Sequence, residues 1–338
     1  MYFVGIDIAS SSFMVSVGAQ PWKLILKPTE FENTEDGYQA LLDYLSSHQM
    51  LAEQTVICME ATGVYSEGLA YFLVAKGYRV AVQPPLEVKR AFKPNTPKTD
   101  ALDSIQIAEY ACRFVDQLTF WQPRNQILEQ VKVLLATREQ FVTQNTAHKN
   151  ALQAIQRKVI KTPFAEQAHQ NMIEQFKKQI RAIDQEIRRL IESDPSFKQT
   201  LLLLLSIPGV GLTFAAHLLL FTAVSTDHKQ LASFLGIAPQ QHASGSSIFK
   251  TPTSRHFGPA AARKLLYLAA CSLRTHQHQF KAYFLRKTAQ GKSPRLVLNN
   301  IANKLIKIIC AVLRSQKPFL PNHSSLHPAI LQLPLTLS

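Results

Sequence analysis

From Tyr2 to Val17 the chain is apolar with few interruptions, and the pattern reads as two strands joined by a tight turn of small residues. Gly37 to Ser46 then places Leu41, Leu42 and Leu45 on one side of a helix. Thr55-Val56-Ile57-Cys58-Met59 is a further strand running straight into Glu60, Ala61, Thr62 and Gly63. A helix from Ser66 to Lys76 and a strand from Arg79 to Gln83 follow, closed by Pro84-Pro85. Lys93-Pro94-Asn95-Thr96-Pro97 is rich in breakers, and Thr99 is placed to cap what comes next. From Asp100 the period is helical, with Leu102, Ile105, Ile107, Ala108 and Ala111 apolar through Phe114. Two or three strands, helix, strand, helix, strand, helix is the order of an α/β domain with a mixed sheet.

The pattern changes at Asn125. Up to Ser193 there is no Gly and one Pro, Pro163. Ile127, Val131, Leu134, Leu135 and Phe141 predict an amphipathic helix running to about Val159. Met172, Phe176, Ile180, Ile183, Ile187 and Leu190 form a heptad-like seam on a second long helix. An antiparallel pair within the chain and a dimerising coiled coil both need such a seam. Beyond it, Leu201 to Leu205 leads to Ile207-Pro208-Gly209-Val210-Gly211 and a second apolar run to Leu220. Residues 201–224 are apolar enough for a membrane span, but the Pro-Gly-Val-Gly break and His217 favour two short helices around a glycine hairpin. Helices are also expected from Ala260 to Thr275 and over Lys304 to Arg314. The implied divisions are 1–120, 121–198 and 199–316, with a loosely ordered, proline-containing tail at 317–338.

Charge sharpens this division. Residues 201–338 carry fifteen Lys/Arg and a single acid, Asp227, so they account for the chain's net charge of +14. Such one-sided charge reads as a polyanion-binding module, and nucleic acid fits better than a membrane because no lipid-anchor signal or basic amphipathic helix accompanies it. Gly209 and Gly211, in a turn that resembles the helix-hairpin-helix element, are candidates for offering backbone amides to a phosphate. Lys250, Arg255, Arg263 and Lys264 are the candidate cations. Four cysteines, Cys58, Cys112, Cys271 and Cys310, lie in apolar stretches without metal-like spacing, which reads as reduced core thiols of a cytoplasmic protein. Met1 leads directly into the first strand, with no signal peptide in view.

The acids carry the candidate chemistry. Asp7 sits inside a strand that looks buried, where a lone carboxylate costs several kcal/mol unless paired, protonated or on a metal. Glu60 closes an apolar strand before a glycine turn, a usual address for a site residue in an α/β sheet. Asp100 and Asp103 share one face of a first helical turn; taken alone they are the ordinary acids of a helix start. Four carboxylates converging there could hold two divalent cations for phosphodiester cleavage, and their hard oxygens suit Mg2+ or Mn2+ rather than zinc.

Gly5-Ile6-Asp7, then Glu60-Ala61-Thr62-Gly63, then Lys98-Thr99-Asp100-Ala101-Leu102-Asp103 resemble the acidic tetrad of the RuvC-like (DEDD) insertion-sequence transposases, the Piv-invertase and bridge-RNA-guided serine-recombinase type. The resemblance extends to about Arg314, through Gly236-Ile237-Ala238-Pro239, Ser244-Gly245 and Arg263-Lys264-Leu265-Leu266-Tyr267-Leu268. It implies a ribonuclease-H-like N-terminal domain with Asp7, Glu60, Asp100 and Asp103 as metal ligands, a helical coiled-coil-like middle, and a mostly α C-terminal domain with a helix-hairpin-helix-like element. It also implies Ser244 as a nucleophile on DNA, a dimer or tetramer, and a structured non-coding guide RNA. The chain departs from the pattern after Gly245, where Ser246-Ser247 replaces a second glycine, so Ser246, Ser247 and Ser254 remain alternatives. His242, two residues from Ser244, is the one base nearby in sequence. A metal-only nuclease of the Holliday-junction type, a sugar kinase of the actin-like fold and a non-catalytic nucleic-acid binder are the competing functions. A DNA-acting protein of this kind is expected in the cytoplasm, on the nucleoid.

Overall fold

The computed structural model describes residues 1–92, 99–123, 125–222, 226–244, 248–254 and 258–321. The breaker run at 93–97, Lys98, Arg255, Ser246, Ser247 and most of the expected tail therefore lie outside the described residues. The chain forms two compact units, Met1–Arg124 and Asn125–Ser338.

The first unit is built on a five-stranded sheet. Strands β1 (Tyr2–Ile8), β2 (Ser12–Ala19) and β3 (Lys23–Glu32) form an antiparallel meander. Strands β4 (Thr55–Glu60) and β5 (Arg79–Gln83) join parallel to β1, in the order β3-β2-β1-β4-β5. Both faces are covered, which is why β1 and β4 read as nearly continuous apolar runs rather than alternating ones. Helices α1 (Glu35–Ser47) and α2 (Glu67–Ala75) bury Leu41, Leu45, Leu69 and Leu73 with Val4, Ile6 and Ile57 on one face. On the other face Phe3, Val56, Cys58 and Ala81 pack with Val88 of α3 (Pro85–Arg90) and with Ile107 and Ala111 of α4 (Asp100–Arg113). This is the ribonuclease-H-like, RuvC-like architecture, and the helical second unit agrees with the rest of the expected fold class.

The second unit opens with a long helical hairpin, α5 (Gln126–Gln156) and α6 (Pro163–Glu192). The seam on α6 packs against α5 of the same chain, with Ile173, Ile183, Ile187, Leu190 and Ile191 buried. The expected seam is corrected at one end: Met172 is 40% exposed and its neighbour Ile173 faces inward. Arg138 on α5 clamps Asp184 on α6 through two bonds, Nε to Oδ1 at 2.6 Å and Nη2 to Oδ2 at 3.2 Å. The base of the hairpin shares one core with α7 (Pro195–Leu205), α8 (Leu212–Thr222), α9 (His228–Phe234), α10 (Ala260–His276), α11 (His278–Ala289) and α12 (Pro294–Ser315). Between α9 and α10 lies an antiparallel hairpin, β6 (Pro239–Ser244) and β7 (Ile248–Ser254). Among the described residues α12 is the one helix long and apolar enough to cross a membrane, but more than half of that stretch is buried inside the unit. It is a core helix: Ile301, Leu305, Ile309 and Cys310 are all buried.

Candidate active site

The site is set by how α4 lies on the sheet. Gly5 has no side chain to hold the helix off: a Cβ there would stand 2.2 Å from both the Ala108 amide nitrogen and the Ser104 carbonyl oxygen. The α4 backbone therefore rests directly on β1. Its rotation is pinned one turn from the N-terminus, where Ser104 Oγ donates to the Ala101 carbonyl at 2.9 Å and accepts from Ser16 Oγ of β2 at 2.7 Å in a buried setting. Thr99 caps the helix as its sequence predicts, its side chain accepting from the Leu102 amide at 3.3 Å. That geometry fixes Asp100 and Asp103 in the first turn, over the sheet end where β1 stops. Gly5→Ala is accordingly expected to lower the unfolding free energy by more than about 2 kcal/mol, because backbone rather than a flexible side chain must yield. Denaturant titration of the variant checks this; an unchanged midpoint would mean that α4 does not sit where described.

The strands bring the other two acids to the same place. Phe3, Gly5 and Asp7 alternate onto the α4 face of β1, and Val56, Cys58 and Glu60 do so on β4. The parallel register pairs Ile6 with Met59, so Asp7 and Glu60 follow side by side at the carboxyl ends of adjacent strands. Burial pushes the Asp7 carboxyl up, and repulsion from Asp103, then Asp100, then Glu60 pushes it further, to about 6, against a lowering hydrogen bond from the Ile8 backbone. The other three expected tetrad residues thus all act electrostatically on Asp7. As they stand, no three acidic, histidine or cysteine groups among the described residues are close enough to hold one ion. The coupling is repulsion, and a cation would relieve it.

Two observations bear on whether a divalent cation suits this place. The donor set is all carboxylate, with no Lys or Arg ion pair to Asp7, Asp100 or Asp103 among the described residues. Thr62 Oγ1, two residues past Glu60, is buried with no hydrogen-bond partner among the described residues. Hard carboxylate oxygens are the ligands that Mg2+ or Mn2+ accepts. Gly5, Ser16 and Ser104 hold α4 against the sheet, a role that sequence reasoning did not assign to them. Each matters through a neighbour far away in the chain; only the glycine before Asp7 left a visible mark.

In the second unit, Gly209 adopts φ +83° in the turn between α7 and α8, with Ala269 of α10 close behind it. A Cβ at Gly211 would meet open space, immediately before α8 begins. Arg263 lies in the first turn of α10 with its Nη1 3.5 Å from the Leu235 carbonyl, and Lys264 Nζ meets Glu139 Oε1 at 3.1 Å. Ser244 ends β6, paired with Ile248, and Lys250 pairs with His242 across the hairpin. Ser254 is paired with Pro239 at the far end of the same hairpin.

Known proteins match this chain in sequence over both units. A family model described as a transposase, of the DEDD type of IS110, matches residues 4–161 and so takes in all four acids. A second, described as the transposase IS116/IS110/IS902 family, matches residues 201–285. The chain belongs to the IS110 family of transposases. It is 26% identical over 324 residues to the pilin gene-inverting protein of Moraxella bovis, covering 94% of this chain and 97% of that one. It is 24% identical over 351 residues to the transposase of insertion sequence element IS1111A from Coxiella burnetii, covering 94% and 90%. Among solved structures, T. thermophilus RuvC in complex with a Holliday junction substrate matches 36% of this chain and 99% of its own, at 13% identity and a TM-score of 0.28. An IS110-family transposase is a DNA recombination enzyme, and the sugar-kinase reading falls away with that membership.

Proposed function

We propose that this IS110-family transposase cuts and rejoins DNA through Ser244, with Asp7, Glu60, Asp100 and Asp103 holding divalent cations beside the phosphate under attack. The observation that carries this reading is the meeting of carboxylates from two strands and one helix, where burial first and repulsion from Asp103, Asp100 and Glu60 second hold the Asp7 carboxyl near 6. Mg2+ or Mn2+ bound there would neutralise the charge that builds on the phosphate oxygens. The chain's own groups do the rest. The Ser244 oxygen bonds to phosphorus as the bridging DNA oxygen leaves with a proton. A DNA hydroxyl then attacks the phosphoserine, and the serine hydroxyl is restored. Strand exchange of this kind conserves phosphodiester bonds, which suits the inversion named for the Moraxella relative.

The basic C-terminal section supports the rest of the proposal: DNA ends and target as substrate, and a structured guide RNA as the polyanion that selects them. Gly209, Gly211, Lys250, Arg255, Arg263 and Lys264 are the proposed nucleic-acid contacts. A homodimer or homotetramer would bring two cleavage events together, in the cytoplasm and on the nucleoid. The direct test is strand cleavage by Asp100→Ala and Asp103→Ala in Mg2+. Both side chains point from a helix surface and leave the core untouched, so folded but inactive protein is expected; cleavage at the normal rate by either variant would remove the tetrad from the chemistry.

Binding offers a second check. Each phosphate neutralised contributes a slope of about −0.9 in log affinity against log salt on duplex DNA, so affinity for DNA is expected to fall steeply between low and moderate salt. Affinity that holds constant over that range would count against fifteen Lys/Arg facing one acid as the binding surface.

A further inference from the structure

A concavity of about 810 Å³ in the second unit lies between α10 and α12. Its walls are two helix faces with matched spacing. Arg263, Lys264 and Tyr267 come from the first two turns of α10, and Arg295, Leu296 and Asn299 from the first two turns of α12. No acid lines it. Its floor is the core itself, where Leu266 and Ala302 are buried.

Three large apolar side chains stand open at this basic cavity: Tyr267 at 44% exposure, Leu268 at 53% and Leu296 at 47%. Three cations, Arg263, Lys264 and Arg295, beside an exposed ring are the composition of a site that stacks bases and tracks phosphates. Arg295 has no ion pair among the described residues. Lys264 is paired with Glu139, but both groups are about half exposed, so a phosphate can compete for the lysine. Asn299 offers a side-chain donor and acceptor suited to a base edge.

Size decides what kind of nucleic acid fits. A cleft of this volume takes a ligand of small-molecule dimensions, about one or two nucleotides, far less than a turn of double helix. We propose that the α10–α12 cavity is a single-stranded nucleic-acid site in which an unpaired base stacks on Tyr267 while Arg263 and Arg295 hold the flanking phosphates. The proposal rests on the reading of this chain as a nucleic-acid recombination enzyme. It adds a place for a base taken out of a duplex, or for an unpaired stretch of RNA.

The test is direct binding by the full-length protein, measured by fluorescence anisotropy. The probes are labelled twelve-nucleotide DNA and RNA strands unable to self-pair, and the matching DNA duplex. Tyr267→Ala is expected to weaken single-strand binding by about 5- to 150-fold, the effect of losing one stacked base, and to change duplex binding less than about twofold. Tyr267→Phe, which keeps the ring, is expected to bind as the parent does. Arg295→Ala is expected to shallow the single-strand salt slope by about 0.7. The strand that loses more on Tyr267→Ala, DNA or RNA, identifies the occupant. Equal losses on single strands and duplex, or unchanged single-strand affinity in both Tyr267→Ala and Arg295→Ala, would overturn the proposal. A protein that recombines DNA but binds single strands without regard to Tyr267 overturns the groove and leaves the active-site reading standing. One that needs Tyr267 for single strands yet never cuts DNA supports the groove and overturns that reading instead.

Discussion

Asp7→Asn is expected to abolish strand cleavage and, without divalent cations, to raise the melting temperature at pH 7.5. Loss of function with gain of stability follows from the electrostatics. The Asp7 carboxyl is raised from 3.8 to about 6 by burial and by Asp103, Asp100 and Glu60. A group whose folded value is raised helps the folded state while protonated and loses that contribution as pH rises through the folded value. Below about pH 4 both states hold the proton and wild type and variant should melt alike. Between about 4 and 6 the wild type alone loses ground, and above 6 the deficit is complete. Thermal melts in EDTA at pH 4.5 and 7.5 read the effect, and the gap should open at the higher pH. Mg2+ should then raise the wild-type midpoint at pH 7.5 and leave Asp7→Asn nearly unmoved, because the variant offers one carboxylate fewer. An Asp7→Asn protein that melts lower than wild type in EDTA at pH 7.5 would show that the four acids do not repel one another across a shared space.

The acids were readable because burial writes itself into sequence. β1 and β4 are covered on both faces, so their residues are apolar nearly throughout, and a carboxylate inside such a run stands out. Thr99 before Asp100 likewise announced a helix start that the structure keeps. What failed to show were features that depend on a distant partner. The close approach of α4 to Gly5, and the bond between Ser16 and Ser104, join positions about ninety or more residues apart. β3 was uncertain for a different reason: as an edge strand with much of its length exposed, it carries Lys23, Lys27, Glu30 and Glu32 and lacks a clean alternation. On α6 the steps Ile173, Phe176, Ile180, Ile183, Ile187 and Leu190 alternate three and four, so Ile173 holds the heptad and turns inward while Met172 falls beside it. α12 starts well before Lys304 because Ser293-Pro294 is an N-cap followed by proline at the first helical position. Tyr267 was read as part of a matching motif; only the cavity beside it gives the ring a purpose.

Ser244→Ala is expected to eliminate covalent protein–DNA adducts and recombination while leaving nucleic-acid binding within about twofold. A serine hydroxyl is a weak nucleophile at neutral pH and needs a base or a metal to act. His242 is two positions away on β6, and the acidic cluster of the first unit is the other group suited to the task. The hairpin gives the position a defined frame: Ser244 is the last residue of β6, paired with Ile248 across a three-residue connection, while Ser254 sits at the opposite end against Pro239. One hairpin therefore separates the two described candidate serines by its whole length, and a nucleophile can occupy only one end. Wild-type reactions quenched in denaturant should show a DNA species that shifts on a gel and collapses on proteolysis, and peptide mapping should place the phosphoester on Ser244. His242→Ala should slow adduct formation if the imidazole takes the serine proton, and leave it unchanged if that proton goes to the acidic cluster. Free-ended cleavage by Ser244→Ala at the wild-type rate in Mg2+ would make water the nucleophile and the enzyme a metal-only nuclease. An adduct that survives Ser244→Ala and vanishes on Ser254→Ala, Ser246→Ala or Ser247→Ala would move the chemistry to that serine.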